Sequence, residues 1–206
     1  MGILGVLGGV AEAAAWLIVS VRKLSVWVVM TPVLVALGVA ALATGEPRAA
    51  TRVSSPIAAA AGLAAAVALY LATRAFLWVV RGWRAFRAQS VELYRRRGSL
   101  SVREAALLGT VLALGEELFW RGFVQPRTIA AVDARALGTG LAYGAFVVAN
   151  LPSANLAIVA GAIVGGAVWT SLAWWSGGVL ASAISHVVWT ALMVIRPAVP
   201  LGTGSA

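Results

Sequence analysis

Apolar runs of about twenty residues recur along this 206-residue chain from residue 3 to residue 196, the pattern of a polypeptide built for a bilayer. A helix needs about 20 apolar residues to cross a hydrocarbon layer about 30 Å thick. The sequence divides accordingly into seven candidate crossings, near 3–21, 25–44, 54–73, 104–127, 136–151, 156–174 and 177–195. Only 11% of the residues are charged and the mean hydropathy is +0.93, whereas soluble domains are about a quarter charged. The expected fold class is all-α: a polytopic membrane helix bundle with about six or seven transmembrane helices. No internal repeat, phosphate-binding glycine loop or polar linker divides it, so residues 1–206 read as a single membrane domain.

The few charges are unevenly placed. Sixteen basic residues against seven acids give a formal charge of +9, and Arg74, Arg81, Arg84, Arg87, Arg95, Arg96, Arg97 and Arg103 form one cluster between apolar runs. That placement fits anionic lipid rather than nucleic acid, and the positive-inside rule puts the segment 74–103 in the cytoplasm. The C-terminus, with Arg196, returns to the same side, and an integral protein of the cell (inner or plasma) membrane is expected. The first run carries Glu12 in its middle and lacks a basic start; it either spans, lies in the interface, or packs under the bundle. Arg22 and Lys23 are cytoplasmic in each case. Phe76, Val79, Val80, Trp83 and Phe86 recur at helical spacing and predict an interfacial helix near 74–97, which Arg87 interrupts. Ser101 and Glu104 form a capping box that opens the fourth crossing. Gly140 with Gly144, and Gly161 with Gly165, have the small-xxx-small spacing of close helix contacts, expected inside the monomer. Trp78, Trp83, Trp174 and Trp175 mark the ends of apolar runs.

Against this background the stretch "GEELFWRGF", residues 115–123, stands out. Insertion of an ionisable side chain at mid-membrane costs about 2.5 to 3.5 kcal/mol, so three within six positions need a reason. On a helix Glu117 and Arg121 lie one turn apart on one face and can pair, with the acid on the favourable N-terminal side. Glu116 points about 100° away, since successive helical residues are 3.6 to the turn, and it is the carboxylate left over. It is a candidate general base; the other reading places it near the membrane surface or as a hydrogen-bonded acid inside the bundle.

Two further polar residues lie in apolar helices. His186, in "ASAISHVVWTALMVI", is the only histidine, and either is a hydrogen-bonded core residue or belongs to a site. With one histidine and no cysteine the chain lacks the ligands of a zinc centre, thiolate chemistry or disulfides. No metal and no cofactor is expected. Asn150 follows Phe146 by four residues in "AFVVANLPSAN", where it either bonds a carbonyl freed beside Pro152 or serves a site.

In this order the features resemble the CAAX prenyl protease and bacteriocin-processing (CPBP, or ABI) family of intramembrane endopeptidases, whose signature is Glu-Glu-x-x-x-Arg, Phe-x-x-x-His and His-x-x-x-Asn on successive helices. The first motif is intact as Glu116, Glu117 and Arg121, and the resemblance covers a core of roughly residues 101–195. It implies hydrolysis of a peptide bond in a membrane-associated peptide or protein near the cytoplasmic face. Glu116 would activate water, Glu117 and Arg121 would support the site with Phe146, and His186 would stabilise the oxyanion. Asn150 stands at the second-motif histidine and Thr190 at the third-motif asparagine. An asparagine orients water but takes no proton in the working range, and a threonine hydroxyl partly replaces an amide donor. Loss of acid or base assistance typically costs about 100- to 10,000-fold. The alternative is a noncatalytic homologue that acts as a membrane partner-binding, immunity or assembly factor; a small transporter with Glu116 as its ion site is a third reading. The expected partners are the lipid bilayer and a membrane-associated peptide or protein substrate.

Overall fold

The computed structural model describes residues 2–197, and among them every regular element is helical. In chain order the helices are α1 (Ile3–Arg22), α2 (Val26–Ala43), α3 (Ser55–Val79), α4 (Arg84–Arg95), α5 (Val102–Phe119), α6 (Gln125–Val132), α7 (Arg135–Asn150), α8 (Leu156–Ser176) and α9 (Leu180–Ile195). Their ends follow local chemistry. Ser101 and Glu104 close the capping box at the start of α5, with bonds of 3.2 and 2.7 Å. Asn155 caps α8 through the amides of Ala157 and Ile158. Gly177, at φ +71°, ends α8 in the left-handed conformation that glycine adopts without strain.

The fold is a polytopic helical bundle. Four helical segments, Ile3–Arg22, Val26–Ala43, Ser55–Gly82 and Leu156–Ser176, are long and apolar enough to cross a membrane. The remaining three expected crossings are shorter or interrupted: α7 and α9 have 16 residues each, and the run 104–127 breaks at a π turn, Trp120–Val124, between α5 and α6. The long helices turn apolar side chains outward. On α1, Ile3, Leu7, Val10, Leu17 and Val21 are exposed, while Gly5, Gly8, Glu12, Ala15, Trp16 and Val19 face inward. An apolar exterior of this extent is a lipid-facing one.

The expected interfacial helix near 74–97 is instead two pieces. α3 continues through Arg74 to Val79, a 3-10 turn follows at Val80–Gly82, and α4 begins afresh at Arg84. Trp83 is extended, at ψ 91°, so it breaks the register in which its ring had been expected. The aromatic cluster survives the break, because Phe86 packs its ring 5.4 Å from Phe76 and 5.5 Å from Trp83.

The glycine spacing also misdirects. A Cβ on Gly140 or Gly144 would meet nothing within 4 Å, so neither supports a contact inside the monomer. The close approach lies between α2 and α5, where a Cβ on Gly38 would sit 2.8 Å from the Gly115 Cα. Gly115→Val should therefore force the two helices apart at the root of Glu116 and Glu117. Overpacking of this kind typically costs about 1 to 3 kcal/mol, and a lowered melting temperature in detergent is the expected result. An unchanged melting temperature would show that the contact yields.

A polar strap holds the end of the bundle at which α9 begins. The backbone amides of Val179 and Leu180 donate to the carbonyls of Arg48 and Ala49, both at 2.8 Å. The amides of Thr51 and Arg52 donate to the Ser176 carbonyl at 3.1 and 3.0 Å. These bonds satisfy orphan groups at two helix ends and fix where α9 enters the bundle.

Candidate active site

Glu117 is the centre of the buried polar network. Its Oε1 lies 3.2 Å from the Arg121 guanidinium, one turn on, and 3.1 Å from His186 Nδ1 on α9. The i,i+4 spacing places acid and base together even though the helix passes into the π turn between them. π turns gather at functional sites because they rotate the following side chains off the α-helical register. Here the turn carries Trp120, Arg121 and Phe123 into the core.

Aromatic rings form the walls. The guanidinium of Arg121 lies over the Phe146 ring at 4.1 Å and also donates to the Gly166 carbonyl at 3.3 Å. His186 stacks on Trp169 with centroids 3.5 Å apart and an interplanar angle of 15°. Gly166 makes room for this arrangement, since a Cβ there would fall 2.6 Å from the Phe146 ring. With Nδ1 on Glu117, the imidazole turns Nε2 toward Glu116, whose Oε2 lies 3.9 Å away. That separation is too long for a direct hydrogen bond. A water oxygen about 2.8 Å from each would close a triangle between them.

Asn150 lies in a second part of the network. Its Nδ2 donates to the Phe146 carbonyl at 3.0 Å and to Glu12 Oε1 at 3.2 Å. The other oxygen of Glu12 accepts the Trp120 indole N–H at 2.7 Å. Glu12 is the residue that sequence reasoning left out of the site; as the lone acid inside an apolar run it carried the same signal as Glu116. Trp120 and Trp169 gave no such signal, since either would serve equally as core.

Thr190 stands apart. One turn beyond His186, it lines an apolar cavity of about 420 Å³ with Trp27, Gly109, Trp189 and Met193. The structure thus gathers Glu117, Arg121, Phe146 and His186, sets Glu116 3.9 Å from His186, adds Asn150 through the Phe146 carbonyl and Glu12, and puts Thr190 on a neighbouring wall. A separate cavity of about 220 Å³ has Arg121 and Gln125 at its lining, together with Arg48, Arg52 and Arg135.

Residues 98–192 match the family model described as type II CAAX prenyl endopeptidase Rce1-like. No curated protein and no solved structure matches the chain. The matched segment contains Glu116, Glu117, Arg121, Phe146, Asn150, His186 and Thr190 and stops short of Glu12.

Proposed function

Because the segment 98–192, which carries most of the site, matches the Rce1-like prenyl endopeptidase family model, we propose that this protein is an intramembrane glutamic endopeptidase with Glu116 as its general base. One observation carries the reading: the two adjacent glutamates have different surroundings. Glu117 is held by Arg121 and His186, while Glu116, 6% exposed, faces Nε2 of His186 across 3.9 Å. The held carboxylate is suited to support, and the one without a cationic partner in direct contact is suited to act as a base on a bridging water.

In this mechanism Glu116 takes a proton from the water as its oxygen attacks the scissile carbonyl carbon. His186, stacked on Trp169, can serve here only with both ring nitrogens protonated: Nδ1–H donates to Glu117 and Nε2–H to the oxygen on which charge develops. Glu117 and Arg121 neutralise one another and hold the imidazole, and the proton on Glu116 passes to the departing amine. Asn150 contributes an amide that exchanges no proton. Access is proposed through the cavity at Arg121 and Gln125, whose arginine-rich rim suits an anionic group on the peptide. That cavity lies where α8 ends, beside Trp174 and Gly177.

The test compares the peptide termini of membranes and medium from cells that express wild type or His186→Ala. At least one terminus generated by wild type should vanish with His186→Ala at equal protein abundance. Identical terminal profiles would refute the enzyme reading in favour of a noncatalytic partner-binding role.

A further inference from the structure

Glu12 has no part in the chemistry assigned to Glu116 and His186, yet it is wholly enclosed, 0% exposed, in the middle of α1. Its neighbours on the inward stripe, Gly8, Ala15 and Val19, are small or apolar, and only the Trp16 indole N–H on its own helix bears on the carboxylate. A hydrophobic residue of similar volume is often as good as a buried charge, or better, for stability. The helix packing alone therefore gives no reason for an acid at this position, and the reason must lie with its partners.

Both partners belong to the active centre. Trp120, which donates to Oε2 at 2.7 Å, follows Glu116 by four residues and so extends its helix face by one turn. Asn150, which donates to Oε1 at 3.2 Å, stands at the second-motif histidine position. The orientation of its amide is fixed by chemistry: Glu12 and the Phe146 carbonyl are both acceptors, so Nδ2 must face them. A flipped amide would set oxygen against oxygen. Glu12 thus commits the amide nitrogen and leaves Oδ1 as the acceptor that can face a water. Arg121 bears electrostatically on Glu12 and Glu116 alike, and Glu12 bears on Glu116.

We propose that Glu12 is a positioning residue of the active centre, fixing Asn150 so that its Oδ1 holds the water that Glu116 deprotonates. The Glu12–Asn150 pair then fills the place of the second-motif histidine as far as orientation goes, while the proton goes to Glu116 alone. The proposal rests on the peptidase reading. It makes α1, outside the matched segment 98–192, a necessary part of the site.

The experiment uses the full chain in detergent or proteoliposomes. The probe is a peptide that spans the cleavage whose product wild type makes and Glu116→Gln does not. In Glu12→Gln one acceptor must serve two donors, so Trp120 or Asn150 loses its bond. This variant should lose kcat by about 10- to 100-fold, the range that removal of an orienting partner brings elsewhere, with KM unchanged and a melting temperature lowered only modestly by the buried donor left without a partner. Asn150→Asp, which sets a carboxylate against Glu12, should lose at least as much. The double variant Glu12→Gln with Asn150→Asp exchanges donor and acceptor and should recover at least about tenfold over Asn150→Asp, a coupling that independent sites would not show. Wild-type kcat in Glu12→Gln overturns the proposal, as do single losses that simply multiply in the double variant. A fall in melting temperature with kcat per folded molecule unchanged also overturns it, leaving Glu12 a merely structural residue. If wild type and Glu116→Gln generate the same peptides, the peptidase reading fails and this proposal falls with it.

Discussion

Glu116→Gln is expected to lower cleavage by about 100- to 10,000-fold, the contribution of a positioned general base. The replacement is nearly isosteric and keeps both polar atoms, so packing at a residue only 6% exposed is preserved. The amide cannot take the proton of the attacking water. Melting temperature and elution in detergent should match wild type, and KM should change little, because the interaction lost is made in the transition state. The measurement is single-turnover cleavage of the peptide found by terminal profiling, beside thermal unfolding of the same preparation. Retention of more than about a tenth of wild-type turnover would remove Glu116 from the role of base. The outcome also separates the two classes of function, because a partner-binding homologue with an intact fold would tolerate this substitution.

The second large effect falls on folding. Arg121→Met should destabilise the protein by about 3 to 5 kcal/mol, the usual consequence of removing one member of a buried ion pair. Glu117 and Arg121 have side-chain exposures of 0% and 2% and lie 3.2 Å apart. Without the guanidinium, the Glu117 carboxylate loses its cationic partner and keeps the His186 imidazole, and the Gly166 carbonyl loses its side-chain donor. Arg121→Lys should rescue only part of the loss, since an ammonium cannot reach Glu117 and Gly166 with a planar fork while lying flat on Phe146. Adding Glu117→Leu to Arg121→Met removes the stranded charge, and this double variant should melt above the single one while remaining inactive. Thermal unfolding in detergent tests all three; an Arg121→Met protein as stable as wild type would show that the pair adds nothing to the fold.

What the sequence disclosed follows from the range of each physical signal. The pair Glu117 and Arg121 was legible because four residues on a helix set a fixed geometry. The cost of placing charges in an apolar run marked Glu116 as a residue with a purpose. The same reasoning applied to Glu12, but its partners Trp120 and Asn150 are 108 and 138 positions away, and no local spacing announces such a meeting. Gly140 and Gly144 have an unobjectionable contact spacing yet face open space, while Gly38 and Gly115, on different helices, make the tight approach. Periodicity within one helix says which residues share a face and is silent about what that face meets. The break between α3 and α4 was hidden for a related reason: Phe76, Trp83 and Phe86 can cluster across a bend as well as along a straight helix. The π turn at Trp120–Val124 has no counterpart in helix propensity or spacing.

The course of α8 has a consequence for traffic across the membrane. Its 21 residues make a helix about 31 Å long. At its start Asn155 bonds to the Gln89 carbonyl of α4; at its far end Arg135 donates to the Trp174 carbonyl, beside the cavity that reaches Arg121. The arginine-rich α4 and the cavity at Arg121 therefore lie at opposite ends of α8. Were that cavity the way in for substrate, cleavage would be sided: in sealed vesicles, a membrane-impermeant arginine reagent applied to the cavity's face would silence it, and the same reagent on the other face would leave it intact.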